Sequence, residues 1–207
     1  MKEPFIRRAV LSDLPYLYEI CLKTGDAGKD ASHLYHDPYL VGQYFSAPYL
    51  LFSGGIVFVA EFENRPQGYI VSAPNTVAYR QWMEELWLPP LRARYPEPLA
   101  PELIRSDRES WILSLIHKKH IPLDADAEIW LKDYPAHLHI DLLPKIQGKG
   151  FGRSLMNRLF EELKRQGVGG IQLGVSKLNP GAVAFYHKVG FSVLQESEKG
   201  YTVGHKF

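Results

Sequence analysis

Side chains with acid–base chemistry recur at every second position in Ala136-His137-Leu138-His139-Ile140-Asp141-Leu142-Leu143. In an extended strand that spacing puts His137, His139 and Asp141 on one face and Leu138, Ile140 and Leu142 on the other. A neutral imidazole, with an ordinary pKa near ~6.5, suits a base working at neutral pH. Asp141 is a rival base, or a group that binds an ammonium and orients a histidine. Histidines on a half-buried strand also serve as hydrogen-bonded structural groups, and the sequence leaves these readings open. Just downstream stands Gln147-Gly148-Lys149-Gly150-Phe151-Gly152-Arg153-Ser154. Its glycines let the backbone turn sharply and come close to a ligand. The helix it opens begins with amides that lack intrahelical partners and with the positive end of the helix dipole, and Lys149 and Arg153 add full charges. The combination predicts an anion site, best matched by a pyrophosphate.

The stretch lacks the G-x-x-x-x-G-K-[ST] spacing of an ATP-binding loop. It also fails G-x-G-x-x-G, because Arg153 and Leu155 stand where a third glycine is needed. What it does match is Q-x-x-G-x-G, and further on comes Asn179-x-x-Ala182-x-x-Phe185-Tyr186-x-x-x-Gly190-Phe191. With these two motifs in this order the chain resembles the GCN5-related N-acetyltransferase (GNAT) superfamily over residues 136–206. The resemblance implies an acetyl-CoA (coenzyme A) site and direct acetyl transfer to an amine acceptor of unknown identity. The pantetheine arm would run beside the strand ending at Leu142 and Leu143. The pyrophosphate would sit on the amides of Gly148 to Gly152, with Gln147, Arg153 and Ser154 beside it and Phe185 in the motif that follows. Asn179 would contact the pantetheine arm or cap the next helix. Tyr186 matches the family tyrosine whose hydroxyl lies near the thioester sulfur, where a proton donor helps a thiolate leave. The alternative for Tyr186 is the polar rim of an amphipathic helix.

Two finer resemblances follow. Ala136-His137-Leu138-His139 followed by Q-G-K-G is similar to the arylalkylamine N-acetyltransferases, where the matching histidines are linked to deprotonating the amine through water. The His-Leu-His-Ile-Asp strand and the long insert before it also resemble the acetyltransferase-like C-terminal domain of O-GlcNAcase and bacterial stand-alone chains of this pattern. The eukaryotic domain has lost the glycine turn and is regarded as a pseudo-enzyme. This chain keeps the turn, so an enzyme is the leading expectation and a CoA-binding interaction or sensing module the alternative.

The elements that must position these residues are legible in part. Phe5 to Ala9 reads as a strand, and Ser12 or Asp13 can cap a helix with Pro15 in its first turn and Leu14, Leu17, Tyr18, Cys21 and Leu22 on one face. Residues 24–53, rich in His, Tyr and Asp, read as a loop-plus-helix wall of the acceptor site. The spacing of His33, Tyr35, His36, Asp37 and Tyr39 fits no zinc pattern, so no metal is expected. Ile56 to Phe62 and Gln67 to Ala73 form a hairpin about Glu63-Asn64-Arg65-Pro66. In the insert, 74–135, Tyr79 to Leu88 and Leu103 to Lys119 look helical, with breaks at Pro89-Pro90 and at Tyr95 to Pro101. Trp111, Leu115 and Lys118 would share a face. Its aromatics read mainly as core, with a substrate or partner surface as the alternative. Strands at Ile171 to Val175, Phe191 to Leu194 and Tyr201 to Lys206 alternate with helices Gly152 to Gln166 and Pro180 to Val189. That series predicts a mixed α/β (α+β) fold, and the resemblance adds a central, mostly antiparallel sheet that splays at its middle, flanked by helices.

At 207 residues the chain fits one domain with the 74–135 insert inside it. A net charge of +1 gives no bulk attraction to nucleic acid or to an anionic membrane, and neither is an expected partner. A homodimer is compatible with the sequence. With a single cysteine, Cys21, no intramolecular disulfide can form, and a buried small hydrophobe is its expected role. Met1-Lys2-Glu3-Pro4 starts no apolar run, so a cytoplasmic protein is expected.

Overall fold

A computed structural model describes residues 5–97, 104–121 and 129–207. Its elements run β1 (Phe5–Arg8), α1 (Leu14–Thr24), α2 (Leu40–Phe45), α3 (Ala47–Leu51), β2 (Ile56–Phe62), β3 (Arg65–Ala73), α4 (Thr76–Trp82), α5 (Leu88–Arg94), α6 (Asp107–His117), β4 (Ala136–Leu142), α7 (Phe151–Arg165), β5 (Gly170–Ser176), α8 (Pro180–Lys188), β6 (Ser192–Glu196) and β7 (Gly200–Lys206). The expectations placed on Met1 to Pro4, on Pro98 to Pro101 and on Leu103 lie outside the described residues.

The strands form one seven-stranded sheet in the order β1-β2-β3-β4-β5-β7-β6. Every neighbouring pair is antiparallel except β4 and β5. Those two are parallel and pair only at Ala136 with Ile171 and His137 with Gln172. Beyond these positions Leu138 to Leu142 and Leu173 to Ser176 run on without bonding to each other. The expected splay is therefore in place, at the centre of the sheet.

Alternation along the strands separates two cores. On one face Val57, Val59, Tyr69 and Val71 pack with residues of α1 to α6. On the other, Ile56, Phe58, Ile70 and Leu138 pack on α7, whose Leu155, Met156, Leu159 and Leu163 are fully buried. Each such side chain contributes about 1.5–3 kcal/mol by leaving water. The same alternation sends His137, His139 and Asp141 towards α1 and α3.

Several expectations need correction. Asp13 occupies the N-cap position of α1 but makes no capping bond. Its carboxylate instead takes both terminal nitrogens of the Arg7 guanidinium, at 2.6 and 2.8 Å, and the Val10 amide at the start of the preceding 3-10 turn. The hairpin turn is two residues long: Glu63 and Asn64 have φ of 55° and 60°, the twist that suits a tight hairpin, while Arg65 and Pro66 belong to β3. Pro89 and Pro90 do not break the insert helix. A π-helical turn, Met83–Trp87, joins α4 to α5, and the prolines fall in the first turn of α5, where a missing N–H costs nothing. On α6 the buried face is Ile112, Leu113 and Ile116, so Trp111 and Lys118 stand outside it.

Candidate active site

The glycine turn is anchored from both sides. Gln147 Nε2 donates to the Leu142 carbonyl at 2.7 Å, tying the turn to the end of β4. Phe151 is buried edge-on against Phe62, fixing the start of α7. Between these anchors Gly148 and Gly150 take φ of +71° and +87°, and a Cβ at either would meet nothing within 4 Å. Space is open where side chains would otherwise stand. Among the described residues, no backbone carbonyl accepts a well-formed hydrogen bond from the amides of Gly148 to Arg153; the first amide so engaged is Ser154, to Gly150 at 3.1 Å. The turn is thus an empty-handed row of donors at a helix N-terminus, and it fits a pyrophosphate. Lys149 and Arg153 flank it, with the Lys149 ammonium 5.3 Å from the Phe62 ring centre.

A cavity of about 640 Å³ runs from this turn into the gap between β4 and β5. Leu142, Gln147, Gly148, Asn179, Phe185 and Tyr186 all line it, as do His139 and Asp141. Leu143 does not; it packs with the core on the α1 face. Asn179 is a helix cap, its Oδ1 accepting from the Ala182 amide at 3.0 Å, and it lines the cavity as well. The two roles left open by the sequence are compatible, since the cap engages only the amide oxygen. From residues 24–53, this cavity is lined by Thr24, Gly25, Ala27, Gly28, Tyr35, Val41 and Phe45. Among the described residues, no group of three or more His, Cys, Asp or Glu side chains could hold a metal ion.

The strand-face trio divides into three different groups. The Thr76 hydroxyl donates to the Pro135 carbonyl, so it receives the proton of His137 Nδ1, at 2.8 Å. Nε2 of His137 then accepts from the Tyr49 hydroxyl, also at 2.8 Å. His137 is neutral and fully engaged, held well below the ordinary imidazole pKa by burial, by His139 and by Arg80. His139 makes no hydrogen bond among the described residues. It sits edge-to-face with Phe45 at 5.2 Å, opens on the cavity, and burial lowers its pKa to about 4. Asp141 accepts a short hydrogen bond from Tyr69 and is raised by burial, against the lowering effect of that bond.

Tyr186 is buried, with its hydroxyl free of hydrogen bonds among the described residues. Burial first, and then the charge of Asp141, raise its pKa, so the phenol stays protonated. Cys21, distant in sequence, is in space a wall residue of the same cavity. Burial pushes its thiol up to about 12, which leaves it inert as a nucleophile.

A smaller cavity of about 190 Å³ meets the first at Leu138, His139, Leu173 and Gly174. Its other lining residues include Tyr44, Tyr49, Thr76, Tyr79, Arg80 and His120. Nothing in the sequence marks this wall beyond the aromatic character of the insert.

The buried histidines predict an acid-sensitive fold. His120, His137 and His139 all bind protons less readily in the native protein than in the unfolded chain. Their stabilising effect is present above the unfolded value near ~6.5 and is lost as pH falls below it, by at most about 1.4 kcal/mol per pH unit for each. Asp141 works the other way and is outnumbered. Urea midpoints should therefore fall steadily from pH 6.5 to 5, before most carboxylates titrate. A constant midpoint over that range would mean that these rings are solvated.

Comparison with known proteins agrees with the geometry. A sequence model of the Acetyltransferase (GNAT) family matches residues 122–191. The crystal structure of SsHAT is 32% identical, with a TM-score of 0.86, over 99% of this chain and 98% of that one. PaiA N-acetyltransferase from Thermoplasma acidophilum, solved with coenzyme A, shares the fold at 15% identity, with a TM-score of 0.60 and 99% of both chains covered. Rat protein O-GlcNAcase is 24% identical over 193 residues, which is 93% of this chain but only 20% of that protein. The chain thus spans about a fifth of the curated relative's length. Splayed sheet, glycine turn and both motifs agree with these matches, and the chain belongs to the GNAT acetyltransferase family.

Proposed function

We propose that the protein is an acetyl-CoA-dependent N-acetyltransferase that passes an acetyl group directly to an amine, with a small molecule as acceptor. The observation that carries this reading is that Gly148 at the start of the glycine turn, Tyr186 and the unengaged His139 ring all line one cavity at the gap in the sheet. Acetyl-CoA supplies an activated acyl carbon and a thiol leaving group. The amides from Gly148 to Arg153 bind pyrophosphate, with Lys149 and Arg153 adding charge. The free inner edge of β4, up to Leu142, offers alternating N–H and C=O groups to a pantetheine arm. His139 accepts the ammonium proton, directly or through water, and Tyr186 donates its proton to the departing sulfur. His137 positions the strand and Tyr49 without titrating. Described residues of the 74–135 insert, among them Arg80, Trp111 and His120, form an acceptor wall within a single acetyltransferase domain.

Acetyl-CoA at ~100 times its dissociation constant stabilises a protein by about 2.7 kcal/mol. For a chain of this size that raises Tm by roughly 5–11 °C. Gly148→Val, which strains the left-handed turn and puts a branched side chain before the amides, should flatten that shift. An unchanged shift in the variant would remove the turn from the site. The 24% identity to O-GlcNAcase favours a second reading, a CoA-binding module without transfer activity. That reading keeps the shift in Tm but gives no thiol release with any amine.

A further inference from the structure

The smaller cavity has a chemical character of its own. Among the described residues no acidic side chain lines it, and Arg80 is one of its lining residues. Among the described residues Arg80 makes no ion pair and no hydrogen bond, yet its charge is felt by Tyr44, Tyr49, His120 and His137 around the cavity. Tyr79 also lines the cavity, stacked on Tyr49 at 4.5 Å. Its hydroxyl is sealed from the cavity and lies against the Tyr49 hydroxyl, without a well-formed hydrogen bond among the described residues. A cation unpaired among the described residues therefore lines this small cavity, and it asks for an oxygen anion. At about 190 Å³ the enclosure lies below the ~300 Å³ at which drug-sized sites begin, so its occupant is compact.

The enclosure opens onto His139 at the gap in the sheet. An occupant anchored at Arg80 can thus place its other end beside that ring. A single guanidinium fits the fork of a carboxylate, whereas a phosphate dianion would be left half-neutralised. The same positive charge disfavours an ammonium and repels a lysine-rich tail, so it helps an amine arrive unprotonated. We propose that this cavity is the acceptor pocket and that it selects a compact amine carrying a carboxylate, which Arg80 holds while the amine faces His139. This rests on the acetyltransferase reading above and narrows its acceptor class.

The test is thiol release from acetyl-CoA with L-alanine, L-serine and L-methionine, each beside its α-amide, with rates referred to the free-amine concentration. The carboxylates should be favoured by about tenfold or more in kcat/KM, the usual weight of a charge-assisted hydrogen bond. Arg80→Gln should bring the acid-to-amide ratio towards one by raising KM for the acids, and Arg80→Lys should restore part of it. The same pairs are compared by thermal shift with coenzyme A present, so that a binding preference is read even without turnover. Equal or better use of the amides, or no preference by either readout, overturns the carboxylate pocket. If amides are acetylated well, the acetyltransferase reading survives that failure. If acetyl-CoA itself neither binds nor reacts, both fall together.

Discussion

His139→Ala should lower kcat about a hundredfold or more while leaving the acetyl-CoA-induced rise in Tm in place. A positioned proton acceptor contributes typically ~10²–10⁴ to a rate. Of the two histidines on this strand face, only His139 has ring nitrogens that no described residue engages. With its pKa near about 4 the ring is neutral through the whole physiological range. It should therefore put no ascending limb into the rate near pH 6 to 7, where an ordinary imidazole would. Any ascent there belongs to the acceptor amine and should move when the amine is changed. A variant within threefold of the parent would sink the role and shift it to Asp141, which shares the cavity.

Tyr186→Phe is the second large effect. Removing one oxygen leaves the ring packing against Phe185 and Phe191 unchanged, at centroid distances of 5.5 Å for both. Cofactor affinity should hardly change, whereas thiol release should slow by about two orders of magnitude. The raised pKa of the phenol means that no loss of this acid should appear up to pH 10. Transfer at the parental rate, measured as free thiol in single-turnover mixing, would mean that the sulfur leaves without help from Tyr186.

Much of this was written plainly in the sequence, for reasons that differ by region. The C-terminal half is built from short local units, and Gln147 to Ser154 and Asn179 to Phe191 signal their conformation within a few residues. A cap such as Asn179 or a stop such as Gly167, with φ of +73°, needs no distant partner. The insert was legible only as helices. Its π-helical turn arises from packing, because Met83 is buried against the core and Trp87 donates to the Gln43 carbonyl across 44 positions. Asp13 was misread because Arg7 and Glu61 meet only when β1 pairs with β2. The strand spacing placed His137, His139 and Asp141 on one face but could not separate them. Their difference lies in Thr76, Tyr49 and Tyr69, each at least sixty positions from its partner. The smaller cavity belongs to the same class, since Arg80 and His120 are brought together by the tertiary fold alone.

The two-position pairing of β4 with β5 gives this sheet four edges instead of two. The outer pair, β1 and β6, face away from the molecule's middle, and the inner pair run along Leu138 to Leu142 and Leu173 to Ser176. An open edge is ordinarily a template on which another polypeptide can polymerise, and proteins usually shorten, charge or cover it. Here the inner edges are flanked by Thr24, Gly25, Ala27 and Gly28 on one side and by α8 on the other. The fold can leave backbone groups unspent along two strands because these flanks keep foreign chains out while admitting something thinner.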